Sequence, residues 1–469
     1  IINACTTLEE IRIQDSETPV TRDFNLKYNV LYSSDWTVLA VPKAMDVYTI
    51  PNEVTELSPY DFMFGDRTGG ANTAIETITY EKTGTRTQPL VIADGIMDGA
   101  YTVFGYMQNL TTVELPANTV IGSYAFAQSA YDNPTLTNVT LTAGESGRIG
   151  DYAFRNTALT SIVIPEGYTT LGNSAFSGLT LSVSLPASLT TITTSTFSGC
   201  TITGVTLAEG NTSFRYEDYV FSSFDGSTVY FIGGDLETFE ISAEMTDASS
   251  LLSLLRNVGT LKEITVEEGN TNYHAKFGAL YDMEWNLLFV PKAMTTFTIP
   301  VEVTQLGGTS AISGLFDGSA ITKVTYEEGD GEAFTVEGYN SSSVFYGANN
   351  LTTVELPART VSIGNYAFYR LDNITTLTYA EGANISYIGN YALSRCYGIS
   401  SFTVPTATAT EGGYVGDEAF SYWGQGDIEQ TIIWPIASTD EPDSLYGWNG
   451  YWDWQTGSAN NVYTDTVTE

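Results

Sequence analysis

The sequence predicts a repeat solenoid, and three observations lead there. Two short phrases recur in alternation along most of the chain. The first has the two-residue period of a strand with one buried face, and a duplication at an offset of 249 residues overlies both. A chain of 469 residues would ordinarily divide into about three domains. The recurrence predicts one continuous stack instead, because a unit this small cannot bury its own apolar face and must pack on its neighbours.

The strand phrase is Leu-x-x-Val-x-Leu-Pro. It runs through Leu110-Thr-Thr-Val113-Glu-Leu115-Pro116, Leu159-Thr-Ser-Ile162-Val-Ile164-Pro165 and Leu351-Thr-Thr-Val354-Glu-Leu356-Pro357, with looser copies at Leu136, Leu261, Ile374 and Ile399. Aliphatic side chains at every second position point one way and the residues between them the other. Proline, which has no N–H for the ladder, ends each strand.

The second phrase is aliphatic-Gly-x-x-Ala-Phe, at Ile121 to Phe126, Ile149 to Phe154, Leu171 to Phe176, Ile363 to Phe368 and Val415 to Phe420, with degenerate copies at Ile192 and Ile388. Neighbouring copies lie about 21 to 28 residues apart, a spacing in the range of leucine-rich repeats. Each copy plants a phenylalanine inward, so Phe126, Phe154, Phe176, Phe368 and Phe420 are expected to form an interior column.

The larger duplication carries Val41-Pro-Lys-Ala-Met45 onto Val290-Pro-Lys-Ala-Met294, and its offset drifts to 241 by Leu351. It marks hairpin-like inserts near residues 24–51 and 273–300. A weaker copy lies near 214–241.

Charge and composition exclude several functions. Lys and Arg number 18 against 55 Asp and Glu, a formal charge of −37 that repels phosphate backbones and anionic membranes. No apolar run is long enough to span a bilayer, so no membrane insertion is expected. A single histidine, His274, removes the usual triads and His-based metal clusters. His274 aligns with Asn25 and Arg215 in the other inserts, so that position does not require histidine. Cys5, Cys200 and Cys396 share one place just before a strand and read as buried thiols too far apart to pair. The acidic groups at Glu267-Glu268, at Glu327-Glu328 with Asp330 and Glu332, and at Asp440-Glu441 with Asp443 lack the spacing of a calcium loop and read as solvated surface. No catalytic residue, metal ligand or cofactor site is assigned.

Two surfaces remain for binding. The outward strand positions (Thr112 and Glu114, Asn138 and Thr140, Thr376 and Thr378 among them) are rich in threonine and free of aromatics. Aromatic residues collect instead after residue 420. Within Tyr446 to Trp454, the residues Trp448, Tyr451, Trp452 and Trp454 are the candidate ligand contacts, although a terminal unit that caps the last core layer explains the same cluster.

The two phrases, with Ala4-Cys5-Thr6-Thr7-Leu8 and Arg395-Cys396-Tyr397-Gly398-Ile399 ahead of their strands, resemble the BspA-like, or Treponema-type, leucine-rich repeats of bacterial and some protist surface proteins. The resemblance covers about residues 3 to 435. It implies a right-handed leucine-rich-repeat solenoid over residues 1–435, rich in β-strand, with short helical or turn segments on the convex side. Residues 436–469 are then an aromatic-rich cap or tail. It also implies an extracellular or cell-surface location and an adhesin-like, non-enzymatic role in contacting host or bacterial proteins. A glycan-binding module at the C-terminal aromatics, or a spacer within a longer surface protein, is the alternative. The chain opens at Ile1 in mid-repeat, so further sequence is expected before it.

Overall fold

In the computed structural model each regular coil carries two parallel strands where the phrases predicted one. The structure describes residues 10–12, 24–42, 44–59, 74–95, 102–104, 107–128, 134–308, 314–405, 408, 413–421, 431–434, 452–455 and 461–465. They belong to two units, Ile1–Gly234 and Asp235–Glu469. Each unit contains parallel β-solenoid coils. In the first, the strand phrase builds a parallel sheet from Val47–Ile50, Thr77–Tyr80, Thr112–Leu115 and Asn138–Leu141. The residues that precede the Gly of the second phrase build another, from Glu56–Leu57, Val91–Ile92, Val120–Ile121, Gly147–Ile149 and Tyr168–Leu171. The second unit repeats the plan with Thr296–Ile299, Lys323–Tyr326, Thr353–Leu356 and Thr376–Tyr379. Its other sheet holds Gln305–Gly307, Phe334–Glu337, Thr360–Ile363, Tyr387–Ile388 and Tyr414–Val415.

The glycine of the second phrase is fixed by close approach of adjacent coils. A Cβ on Gly150 would lie 2.6 Å from the Ser123 nitrogen and 2.7 Å from the Gly122 carbonyl carbon, both backbone atoms of the neighbouring coil. The Gly150 N–H instead donates to the Ile121 carbonyl at 2.8 Å. After the glycine, the turn is held by a ladder that runs from coil to coil. Tyr124 N donates to Asp151 O, Phe126 N to Ala153 O, Tyr152 N to Asn173 O and Phe154 N to Ala175 O, all at 2.9 Å. These donors are satisfied by the next coil and not by a residue four back in the same segment, which is why the segments are turns and not the short helices allowed for above. Among the described residues the one α-helix is Ser249–Leu255.

The phenylalanines stack, but in two columns. Phe104, Phe126, Phe154, Phe176 and Phe197 lie with centroids 4.8, 5.3, 6.1 and 6.3 Å apart in turn. In the second unit Phe316, Phe345 and Phe368 continue at 5.0 and 6.0 Å. Phe420, expected in the same column as Phe368, packs at 5.9 Å on Phe402, and Leu393 fills the place between. Full burial of each ring contributes roughly 1.5–3 kcal/mol, so the columns are a main apolar term in each unit.

The three inserts are antiparallel three-stranded meanders. Phe24–Lys27, Val30–Ser33 and Val38–Ala40 form the first; Phe214–Glu217, Val220–Ser223 and Val229–Ile232 the second; Tyr273–Lys276, Ala279–Asp282 and Leu287–Phe289 the third. Each leads into a further solenoid strand, the last part of the predicted insert. At the C-terminal end, Ser401–Thr403 pairs in parallel with Thr431–Trp434, beside which Asn461–Asp465 and Trp452–Gln455 run antiparallel.

Candidate functional site

The outer face of the first-phrase sheets follows the predicted alternation. Val113 and Leu115 are buried while Thr112 and Glu114 are half-buried, and Asn138, Thr140, Ser161, Thr376 and Thr378 are exposed. Registered strands turn these positions into rows. Thr79, Glu114 and Thr140 lie side by side, as do Thr298, Thr325, Glu355 and Thr378. Two carboxylates on this face are held in the same way. Glu114 accepts from Lys82 at 2.8 Å and Thr79 at 2.7 Å, and Glu355 pairs with Lys323 at 2.7 Å and accepts from Thr325 at 2.8 Å. The lysine bond in each case keeps the carboxyl below its ordinary range. The result is a face of hydroxyls and paired charges.

A different aromatic feature appears at the turn. Tyr124 and Tyr152, and again Tyr366 and Tyr391, follow Gly-x and adopt left-handed backbone at φ 58°, 54°, 55° and 56°. Their rings stack at 4.9 and 5.1 Å. Within each pair the facing sides cover one another, which leaves only the outer faces to meet a sugar ring.

The meanders hold a contact that single phrases did not reveal. Lys27 bonds Glu53 at 2.8 Å and Glu81 at 2.7 Å, and lies 5.8 Å from the Trp36 ring centre. Lys276 bonds Glu302 at 2.9 Å and Glu327 at 2.6 Å, again 5.8 Å from a tryptophan, Trp285. Burial opposes the charge on Lys276, and the two carboxylates outweigh it and raise the pKa. The signal was present as Lys, Trp and Glu repeating together at the 249-residue offset. Glu217 stands at the lysine position of the middle meander, which lacks the clasp.

The predicted residues fall as follows. His274 lies opposite Tyr281 and stacks on Trp285 at 4.5 Å, while Asn25 and Arg215 at the same place bond Ser33 O and Ser222 Oγ. Cys396 is fully buried with its thiol donating to Phe368 O at 3.1 Å. Cys200 is only half-buried, its thiol pushed up to about 11 by burial. Cys5 lies outside the described residues. Glu267 accepts from Ala243 N, and Glu327 from Val301 N as well as Lys276. No group of three or more His, Cys, Asp or Glu suited to a metal is found among the described residues. Trp448 and Tyr451 lie outside the described residues, as do Asp440, Glu441 and Asp443. Trp452 and Trp454 lie in the strand Trp452–Gln455, opposite Asp465 and Tyr463 in the register. No helix among the described residues is long and apolar enough to cross a membrane.

No curated protein matches the chain. Solved structures similar to it include a leucine-rich repeat protein from Eubacterium ventriosum, at 18% identity over 91% of this chain and 98% of that one, TM-score 0.41. The pneumococcal vaccine antigen PcpA matches at 15% identity over 82% of each chain, TM-score 0.28. A leucine-rich cell surface protein from Faecalibacterium prausnitzii matches at 17% over 87% of this chain and 86% of that one, TM-score 0.23. The model of the BspA-type leucine-rich repeat region matches residues 73–147, 97–227, 147–272 and 339–432, more than half of the sequence, and the chain belongs to that family.

Proposed function

We propose that this chain is a non-enzymatic repeat protein, secreted or displayed on a cell surface, that contacts extracellular proteins of a host or of neighbouring bacteria. The outer sheet face carries the reading. It repeats coil after coil, is lined by hydroxyls at Thr140, Ser161, Thr376 and Thr378, and offers a broad area for protein contact. Membership of the BspA-type family supports the extracellular location. A formal charge of −37 favours basic partners and speeds their encounter at low salt.

The test is surface binding of extracellular-matrix proteins and of extracts from co-resident bacteria to the immobilised protein. Saturable binding is expected, with an association rate that falls as salt rises and a loss of binding in the double variant Thr140→Arg with Ser161→Arg or in Thr376→Arg with Thr378→Arg. Absence of saturable binding, or binding indifferent to both double variants, rejects the sheet face. Turnover of a peptide or glycan by the purified protein rejects the non-enzymatic reading.

A further inference from the structure

In the second unit, a left-handed residue follows the interior-phenylalanine place in successive coils: Gly318 (φ 68°), Gly347 (φ 83°), Arg370 (φ 58°) and Arg395 (φ 63°). A Cβ at Gly347 would collide with the Asp317 carboxylate. The glycine lets the Asp317 side chain lie against the next turn, and a cavity of about 240 Å³ opens among the residues of three successive turns. Buried Leu351 and Leu371 line it together with exposed Asp317, Tyr346, Arg370 and Asp372. Tyr346 is 57% exposed, and unlike the paired tyrosines of the turn ladder it stacks on no other ring among the described residues. The carboxylates of Asp317 and Asp372 and the guanidinium of Arg370 form no ion pair among the described residues.

We propose that this cavity binds one saccharide ring of an extracellular glycan. Two carboxylates only accept hydrogen bonds and a guanidinium only donates them. A simple cation would be repelled by Arg370, whose guanidinium lies 5.8 Å from the Tyr369 ring centre, and a simple anion would be repelled by both aspartates. A ring of hydroxyls meets both demands, because each hydroxyl donates to a carboxylate and accepts from a guanidinium. The open face of Tyr346 suits the C–H face of the same ring. The volume lies below the roughly 300–1,000 Å³ of sites for larger ligands, which limits the occupant to about one ring. The site makes no use of the outer sheet face, so it stands or falls apart from the protein-binding reading.

Titration of the full chain with the methyl glycosides of glucose, galactose, mannose and N-acetylglucosamine, followed by ligand-observed NMR, tests the assignment. Saturable binding of at least one glycoside is expected, weakened about tenfold or more by Tyr346→Ala and by Asp372→Asn. Both variants should keep the wild-type circular dichroism and the wild-type binding to matrix proteins. Both substitutions are at exposed positions, so folding should survive them. If none of the four glycosides binds saturably, or if either variant binds as tightly as wild type, the assignment fails.

Discussion

Tyr32 and Tyr281 occupy the same place in two copies of one meander, yet only the Tyr32 hydroxyl has a partner, the Tyr48 hydroxyl at 3.5 Å. Phe297 stands where Tyr48 stands in the first copy, so the Tyr281 hydroxyl is buried with no hydrogen-bond partner among the described residues. An unsatisfied buried hydroxyl costs about 1–3 kcal/mol. Tyr281→Phe should therefore raise stability by about 1 kcal/mol, whereas Tyr32→Phe should lower it or leave it level. Urea unfolding of the two variants checks this, and a lower midpoint for Tyr281→Phe would reject it.

The close approach at Gly150 makes a paired prediction. Gly150→Ala drives a methyl into the backbone of the neighbouring coil and should cost about 1–3 kcal/mol. Gly204, within the strand Thr201–Leu207, has nothing within 4 Å of an added Cβ, so Gly204→Ala should be neutral or stabilise by about 0.4–1 kcal/mol. Thermal melts that rank the two variants in the opposite order would sink the argument from coil spacing.

Phe154 has a ring on either side, Phe126 at 5.3 Å and Phe176 at 6.1 Å. Phe154→Ala opens a gap in the middle of that column and should cost about 3–5 kcal/mol. Hydrogen exchange should quicken at Tyr124, Phe126 and Tyr152, whose amides bond the next coil. Unchanged protection there would show that the column does not hold the turns together.

The Lys276 clasp should be visible in the pH dependence of stability. The bond to Lys276, then that from Val301 N, keeps the Glu327 carboxyl below its ordinary value. A carboxyl whose folded pKa is lowered contributes fully above the unfolded value of about 4.3, and the contribution is lost as pH falls through the folded value. Glu327→Gln still accepts from Val301 N but removes the ion pair. It should cost about 0.2–1 kcal/mol at pH 7, and its deficit should close as the pH drops below about 4. A constant gap between the two melting curves down to pH 3 would assign the effect to packing.

The sequence exposes contacts that repeat within one phrase and hides those made between phrases. Val113 and Leu115 alternate with Thr112 and Glu114 over four residues, enough to read a strand and its buried face. The second strand of a coil, such as Val120–Ile121, is two residues long and carries no period of its own. The left-handed backbone at Tyr124 and Tyr152 was equally hidden, because tyrosine ordinarily avoids it and only the ladder to the next coil holds it there. The assembly of Asp317, Tyr346 and Arg370 spans three coils, so no single phrase contains it. Trp452 and Trp454 were conspicuous by composition, which identifies a cluster without giving its partners.

In the first unit, Arg86 donates to the carbonyls of Val54 at 2.5 Å and Pro51 at 2.6 Å. In the second, Arg359 donates to the matching carbonyls of Val303 at 2.7 Å and Pro300 at 2.8 Å. The two arginines are not counterparts in the duplication. Arg86 leaves the long loop after Thr77–Tyr80, a loop that is shorter after Lys323–Tyr326. Arg359 arrives from one coil further on, where the first unit has Asn118. One socket thus takes two different plugs: where the loop is shorter, a neighbouring coil supplies the cation to the same pair of carbonyls. Column-by-column alignment of the two halves would pair Arg359 with Asn118 and score a loss where the three-dimensional contact was kept. In a solenoid of this kind, kinship between interactions is traced through the acceptors that the backbone fixes in space.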